Sequence, residues 1–345
     1  MTPCGYIVAI HFSSYCNFFG ILLQVVDFKI HTMSDQPPII IAGTESKTFA
    51  RKIAQELGLG LGRVEVATFS DSETHVLLHA DVKNRDVYIV QATSAPTNEN
   101  IMQLLLMAHA ARSGKAKKIT AVMPFFGYRR QEKQTVSGEA VSFQLIAKLM
   151  KAAGISRVLT IDLHKHRSAK YFKEAGIISK ELRAFPVIID HLRKKKLDHF
   201  VVLAPDKGSI PESKRYADGL GVPLIKVYKH RSIRKRDEVK FDEFEGEVKG
   251  RNVLIIDDEV NTAGTLMGVV DILKEKKAHN VYFACTHGVL SGPALSRLAK
   301  SNIRQVILMD TIYLPLENRI QKIKILSVAP LFAEQIGKWA HWKKN

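Results

Sequence analysis

Residues 253–265 read VLIIDDEVNTAGT, and three physical regimes follow one another within them. Val253, Leu254, Ile255 and Ile256 form an unbroken apolar run, the composition of a strand buried on both faces of a parallel sheet. Asp257 and Asp258 stand where such a strand should end, and carboxylates are costly to bury unpaired. Asn261, Thr262, Ala263, Gly264 and Thr265 then supply two hydroxyls, a glycine and several free backbone N–H groups, immediately before an apolar helical stretch at 266–273. A turn of that kind at a helix N-terminus is an anion site, and phosphate is the usual anion. Paired acids beside a phosphate cradle call for sugar hydroxyls or a metal ion.

The same grammar recurs along the chain. From residue 38 onward, short apolar runs alternate with helical patterns, which predicts a parallel α/β sheet. Strands are predicted at 39–42, 64–68, 87–91, 119–123 and 158–161, and again at 200–203, 224–227, 253–256, 281–284 and 306–308. Helices are predicted between them, at 47–57, 98–112, 140–152 and 211–219. About five strands fall in each half, with the break near 180–200. In an open parallel sheet, ligands collect at the carboxyl ends of strands. Six polar clusters follow six of these runs: FSDSET (69–74), FFGYRRQEK (125–133), DLHKH (162–166), PDKGS (205–209), KHR (229–231) and DDEVNTAGT (257–265). Their shared placement predicts one large site.

Composition sets the class. A chain of 345 residues exceeds one ordinary domain, which favours two α/β domains. With 46% hydrophobic and 25% charged residues and no low-complexity tract, it reads as globular. A net charge of +17 favours acidic partners such as nucleotides and sugar phosphates. The run RKKK at 193–196 is read as a solvated face; KHRSIRKR at 229–236 is not, because of its place after a strand. Three scattered cysteines, Cys4, Cys16 and Cys285, make neither a disulfide framework nor a zinc site, so a reducing cytoplasm is the expectation. Residues 1–35 lack a basic start and a cleavage site, and polar residues interrupt their apolar stretches. They are expected to be a leader outside the fold and not a membrane span.

Taken alone, the acids and turn at 257–265 point to a phosphoribosyltransferase-type fold, with acids for ribose hydroxyls and a loop for the 5-phosphate. With FSDSE (69–73), PFFGYRRQEK (124–133), DLH (162–164), THGVLSGPAL (286–295) and DTI (310–312) in this order, the chain closely resembles the ribose-phosphate pyrophosphokinase family over roughly residues 38–335. The resemblance implies two phosphoribosyltransferase-like α/β domains, 36–180 and 181–345, each a mainly parallel sheet flanked by helices. It implies diphosphoryl transfer from ATP to ribose 5-phosphate with Mg²⁺. Lys229 and Arg231 match the basic pair of the family's mobile loop and would stabilise the transferring group. Phe69, Asp71 and Glu73 match an adenine loop that reaches a neighbouring subunit, which implies self-association as a dimer or a hexamer built from dimers. Arg130 and Gln131 would contact the nucleotide, with Arg129 an extra basic residue, and His164 would bind Mg²⁺–ATP. Asp206 would lie near ribose and metal. Asp257, Asp258, Asn261, Thr262, Ala263, Gly264 and Thr265 would hold ribose 5-phosphate, with Gly264 allowing close backbone approach.

Departures from the family pattern are local. Asn261 stands where an aspartate is usual, Ser209 replaces a glycine, Glu212 stands where an arginine is common, and KHRSAKYF after His164 lacks the usual glutamines. Two alternatives share the fold: a catalytically weak regulatory paralogue, and a phosphoribosyltransferase that consumes the product. The first should lose Lys229, Arg231, His164 and Asp206, all present here; the second needs neither the adenine loop nor DLH. A nucleic-acid partner would rest on net charge alone and is not expected.

Overall fold

The computed structural model describes residues 36–195, 198–231 and 239–344, with 228–231 and 239–244 described as backbone only. The expected leader at 1–35 lies outside the described residues. The remainder belongs to one compact unit, Ser34–Asn345.

The first half runs β1 (Ile39–Ala42), α1 (Lys47–Glu56), β2 (Val64–Thr68), β3 (Thr74–Leu78), β4 (Asp86–Val90), α2 (Thr97–Ser113), β5 (Lys118–Met123), α3 (Ser142–Ala153), β6 (Arg157–Ile161), α4 (Lys170–Glu174) and β7 (Ile178–Leu182). Five of these strands form a parallel sheet in the order β1-β4-β5-β6-β7. The second half runs α5 (Phe185–Arg193), β8 (Phe200–Ala204), α6 (Ile210–Leu220), β9 (Leu224–Arg231), β10 (Val239–Glu245), β11 (Asn252–Val260), α7 (Gly264–Glu275), β12 (Asn280–Gly288), α8 (Ala294–Lys300), β13 (Ile303–Met309), β14 (Ile323–Leu326) and α9 (Ala329–Ala340). Its sheet has the order β10-β9-β8-β11-β12-β13-β14, parallel except for the antiparallel edge pair β10 and β9.

Residue alternation explains the layering. In β11, Leu254 and Ile256 face a core shared with β1, β4, β6, α1, α5, α6 and α9, while Val253 and Ile255 face a second core under α7 and α8. A strand covered on both faces needs apolar side chains at every position, which is why 253–256 shows no polar alternation. The first sheet is likewise covered on both sides: Ile40 and Val90 point into the shared core, Ile39 and Ile89 into the core under α2 and α3. Helix α3 buries Phe143, Ile146, Ala147 and Met150, one stripe at helical spacing.

Three expectations are corrected. The run at 64–68 is a strand but not a member of the parallel sheet; β2 pairs only with β3 in an antiparallel ribbon. Its side chains are exposed or half-buried, as befits a ribbon covered on one face. The segment KHR does not follow its strand: β9 continues through Arg231 because β10 pairs with it, Val239 opposite Arg231 and Phe241 opposite Lys229, with a register shift between Phe241 and Glu243. Strand β11 does not stop at Ile256 either. Parallel pairing with the long β12 carries it to Val260, opposite Gly288, so both aspartates belong to the strand's last turn of pleat. Strands β3, β7, β10 and β14 and helices α4, α5, α8 and α9 are not among the elements expected by position, since their short or mixed runs carry weak periodicity.

The strand order reverses between β8 and β11: β9 lies on one side of β8, and the chain returns to the other side with β11. A reversal of that kind opens a crevice at the carboxyl ends of the two strands.

Candidate active site

The crevice holds Asp206 from the end of β8 and Asp257 and Asp258 from β11. Two cavities, of about 490 and 440 Å³, meet there and share His164, Pro205, Asp206, Asp257 and Asp258 as common wall. One extends under the 162–166 segment toward Arg183, Glu212 and Thr286. The other runs along 259–266 and reaches Arg130.

The second cavity is built by chain-local geometry. The turn after β11 brings Asn261, Thr262, Ala263, Gly264 and Thr265 to its wall, with α7 starting at Gly264. The strained position is Ala263, whose φ of 60° lies in the left-handed region. A Cβ at Gly264 would meet no protein atom closer than Arg297 Nη1 at 3.4 Å, so the protein's own packing does not require glycine there. Arg297 closes the turn from α8, donating to the Thr262 carbonyl at 2.8 Å. Asn261 Oδ1 is buried without a partner, an acceptor in the wall of the cavity with its hydrogen-bonding capacity unspent.

The loop after β8 is held by bonds within itself. Ser209 N donates to Asp206 Oδ1 at 3.0 Å, and Ser209 Oγ donates to the Asp206 carbonyl at 2.8 Å. Ser209 thus fastens the loop that carries Asp206.

The first sheet supplies side chains over longer loops. Gly127 N donates to Thr93 Oγ1 at 2.6 Å, and a Cβ at Gly127 would lie 2.4 Å from the Thr93 carbonyl oxygen, so this position has room for glycine alone. Further along the same loop, Glu132 accepts from Ser168 Oγ at 2.8 Å. Burial alone would raise the Glu132 carboxyl; Ser168 and the Arg167 charge outweigh it and hold it low. Arg129 is 2% exposed. Its guanidinium lies 3.1 Å from Asp258 Oδ2 and 3.1 Å from the Asp162 carbonyl, and it also pairs with Glu259. Arg130 pairs with the other oxygen of Glu259 at 3.0 Å.

His164 Nδ1 lies 2.9 Å from Asp258 Oδ2, so one oxygen of Asp258 serves both His164 and Arg129. Burial would raise Asp258, but these two partners prevail and hold its carboxyl well below the usual carboxylate range. Asp257 moves the opposite way: crowding by protein and then the Asp258 charge push it up. Asp162 accepts from Ala184 N at 3.1 Å and Thr286 Oγ1 at 2.7 Å, fixing the start of DLH against both sheets. His287, fully buried, has its Nε2 3.1 Å from the Asp162 carbonyl and its Nδ1 3.0 Å from the Thr311 hydroxyl.

Of the residues picked out by sequence, Arg130, His164, Asp206, Asp257, Asp258 and 261–265 are brought together. Gln131 is not; its side chain accepts from Ser142 Oγ at 2.6 Å and lines neither cavity. Phe69, Asp71 and Glu73 lie in the turn between β2 and β3. Asp71 accepts from Glu73 N at 3.1 Å, and Phe69, 53% exposed, leans on His75; none of the three lines the cavities of its own chain. Lys229 and Arg231 are described as backbone in β9, opposite Phe241 and Val239; their side chains lie outside the described residues. Arg129, Glu259 and His287 were missed as site components. Nothing local marks them, because their importance lies in which distant segment each one meets.

Two mainly parallel sheets with flanking helices, and a crevice walled by paired acids and a phosphate-type turn, define a phosphoribosyltransferase-like α/β protein. Residues 38–154 match the family described as the N-terminal domain of ribose phosphate pyrophosphokinase, and residues 242–344 match the phosphoribosyl synthetase-associated domain. A ribose-phosphate pyrophosphokinase of Caldanaerobacter subterraneus is 40% identical over 298 residues, spanning 86% of this chain and 93% of that one. That of Clostridium perfringens is 39% identical over 302 residues, spanning 87% and 93%. The crystal structure of phosphoribosylpyrophosphate synthetase from Mycobacterium smegmatis superposes with a TM-score of 0.82 at 33% identity, covering 89% of this chain and all of that one. The chain belongs to the ribose-phosphate pyrophosphokinase family.

Proposed function

We propose that the protein transfers the β,γ-diphosphoryl group of ATP to the anomeric hydroxyl of ribose 5-phosphate, giving phosphoribosyl pyrophosphate and AMP for nucleotide biosynthesis. The observation that carries this reading is the pair of cavities meeting on one acid wall, since a two-substrate transfer needs two sites with a shared reacting edge. The anomeric oxygen attacks the β-phosphorus. The bond from that phosphorus to the oxygen bridging the α-phosphate breaks, that oxygen leaves with AMP, and the hydroxyl proton is released.

In this proposal, residues 262–265 take the 5-phosphate through backbone N–H groups and the Thr262 and Thr265 hydroxyls, at the N-terminus of α7. Asp257 and Asp258 accept from the ribose hydroxyls, with the free oxygen of Asn261 beside them. Arg130 meets the nucleotide phosphates. Lys229 and Arg231 neutralise the transferring group, a role suited to a reaction governed by positioning and charge. Phe69, Asp71 and Glu73 serve the nucleotide of a neighbouring subunit in a dimer or hexamer; their exposed hairpin outside their own cavities supports this.

No ready-made cluster of three His, Cys, Asp or Glu ligands occurs among the described residues. That fits Mg²⁺, which keeps most of its waters and binds through one or two protein groups together with substrate phosphates. Asp206 and His164, on the shared wall, would hold it. The ion would neutralise phosphate charge in the transfer. Domain limits at 36–180 and 181–345 and a cytoplasmic location complete the proposal; no helix among the described residues is long and apolar enough to cross a membrane.

The test is AMP release from ATP on addition of ribose 5-phosphate and Mg²⁺. We expect ribose-dependent AMP formation that falls about 10²–10³-fold in Lys229→Ala. A folded protein that binds nucleotide yet forms no AMP overturns the reading.

A further inference from the structure

Arg129 presents a buried cation that lines neither cavity yet touches the supports of both. Its loop comes from the first sheet; Asp258 and Glu259 come from β11 in the second; Asp162, whose carbonyl it meets, directly follows β6. Asp258 stands on the wall the cavities share, and Glu259 in turn holds Arg130 at the mouth of one of them. A guanidinium is a planar fork with five donors, able to serve two carboxylates and a carbonyl at once. An ammonium of similar charge cannot span that set.

Without Arg129, Asp258 and Glu259 are neighbouring negative charges, with His164 beside the first and the Arg130 guanidinium beside the second. Nothing else in the described structure joins these two carboxylates to one another. Phe125 flanks the guanidinium, its ring centroid 5.3 Å from the Arg129 carbon, which limits the positions the side chain can take.

We propose that Arg129 is a positioning residue that sets the distance between the two substrates: it fixes Asp258 for the sugar and, through Glu259, Arg130 for the nucleotide. The proposal rests on the diphosphokinase reading and adds to it an element built from this chain's own Arg129–Glu259 pair. Two consequences follow. Disturbing Arg129 should affect both substrates, whereas disturbing Glu259 should affect the nucleotide more than the sugar.

The experiment compares wild type, Arg129→Met, Arg129→Lys and Glu259→Gln in steady-state AMP release, with the folded fraction of each measured by thermal melting. For Arg129→Met we expect KM for ribose 5-phosphate to rise about tenfold and kcat to fall about tenfold. Arg129→Lys should keep the charge but recover neither parameter fully. Glu259→Gln should raise KM for ATP about threefold or more, with KM for ribose 5-phosphate within twofold of wild type. Calorimetric binding of ribose 5-phosphate gives the same comparison without turnover, with affinity about tenfold weaker in Arg129→Met.

Variants of Arg129 that melt at a lower temperature but retain both KM values, kcat and sugar affinity overturn the proposal, because a purely structural bridge would behave that way. Full recovery by Arg129→Lys also overturns it. Should Arg129→Met not fold, the Glu259→Gln split decides: equal shifts for both substrates, or none, overturn it. A wild-type chain that binds ribose 5-phosphate but releases no AMP overturns the diphosphokinase reading and leaves the binding comparison to judge Arg129.

Discussion

The two sheets feed the crevice in different ways. The second delivers a compact strand–turn–helix, residues 252–275, in which acids, turn and helix N-terminus follow one another along the backbone, and distant side chains then anchor the Asp258 and Glu259 carboxylates. The first delivers the loop 124–133 and the segment 162–169, which are held by bonds to remote partners such as Thr93 and Glu259 and to each other through Glu132 and Ser168. The part of a site built by its own backbone, here the turn at 261–265, tolerates loss of a neighbour. One held by long-range side-chain contacts fails when a single contact is displaced.

That contrast breaks most visibly at Gly127. Gly127→Ala puts a Cβ against the Thr93 carbonyl oxygen, and the loop must move. We expect a loss of about 3 kcal/mol in stability and about 10²-fold in AMP formation from the displaced loop, read by denaturant melts and the AMP assay. Unchanged stability would show that the first-sheet loop yields without cost, and the distinction between the two regions would fall.

His287 tests the buried polar link between the sheets. Burial, and then the Arg129 charge, lower its imidazole to about 3. The unfolded chain takes up a proton near pH 6.5 and the folded chain does not, so this site costs stability as pH falls through that value, by about 1.4 kcal/mol per pH unit down to the folded pKa. Between pH 6.5 and 5 the loss is about 2 kcal/mol. His287→Gln should flatten the stability profile over that interval; an unchanged slope would mean that His287 is protonated in the folded chain.

The smallest expected effect lies in the locally built region. Ala263 has φ 60°, a conformation that costs a side-chain-bearing residue about 1 kcal/mol relative to glycine. Ala263→Gly should therefore hold or slightly raise the melting temperature, by an amount equivalent to at most about 1 kcal/mol, and leave KM for ribose 5-phosphate within twofold of wild type. A large rise in that KM would show that the turn depends on the Ala263 side chain and not on backbone alone.

The legible part of the molecule follows the same division. Strands β1, β4, β5, β6, β8, β11, β12 and β13 were readable because a strand covered on both faces must be apolar throughout. The acids and turn at 257–265 were readable because their chemistry is compressed into adjacent residues. The position of β2 outside the sheet was not, since an apolar run does not name its partner, and the length of β11 and β9 was set by β12 and β10 across the ladder. Gln131 stands off both cavities and Arg129 was passed over for one reason. Adjacent residues on a loop carry equal chemical promise, and only the neighbours they meet separate a cavity wall from a buried brace.

By itself, then, the amino-acid order determined that this is a two-sheet α/β chain with a phosphate-type turn beside paired acids, because periodicity and local turn chemistry are short-range properties. The tertiary structure decided which carboxylate is anchored, which arginine is buried and where two cavities share a wall. Those are outcomes of contacts between residues about 95 to 130 apart in sequence, and no local pattern encodes such distances.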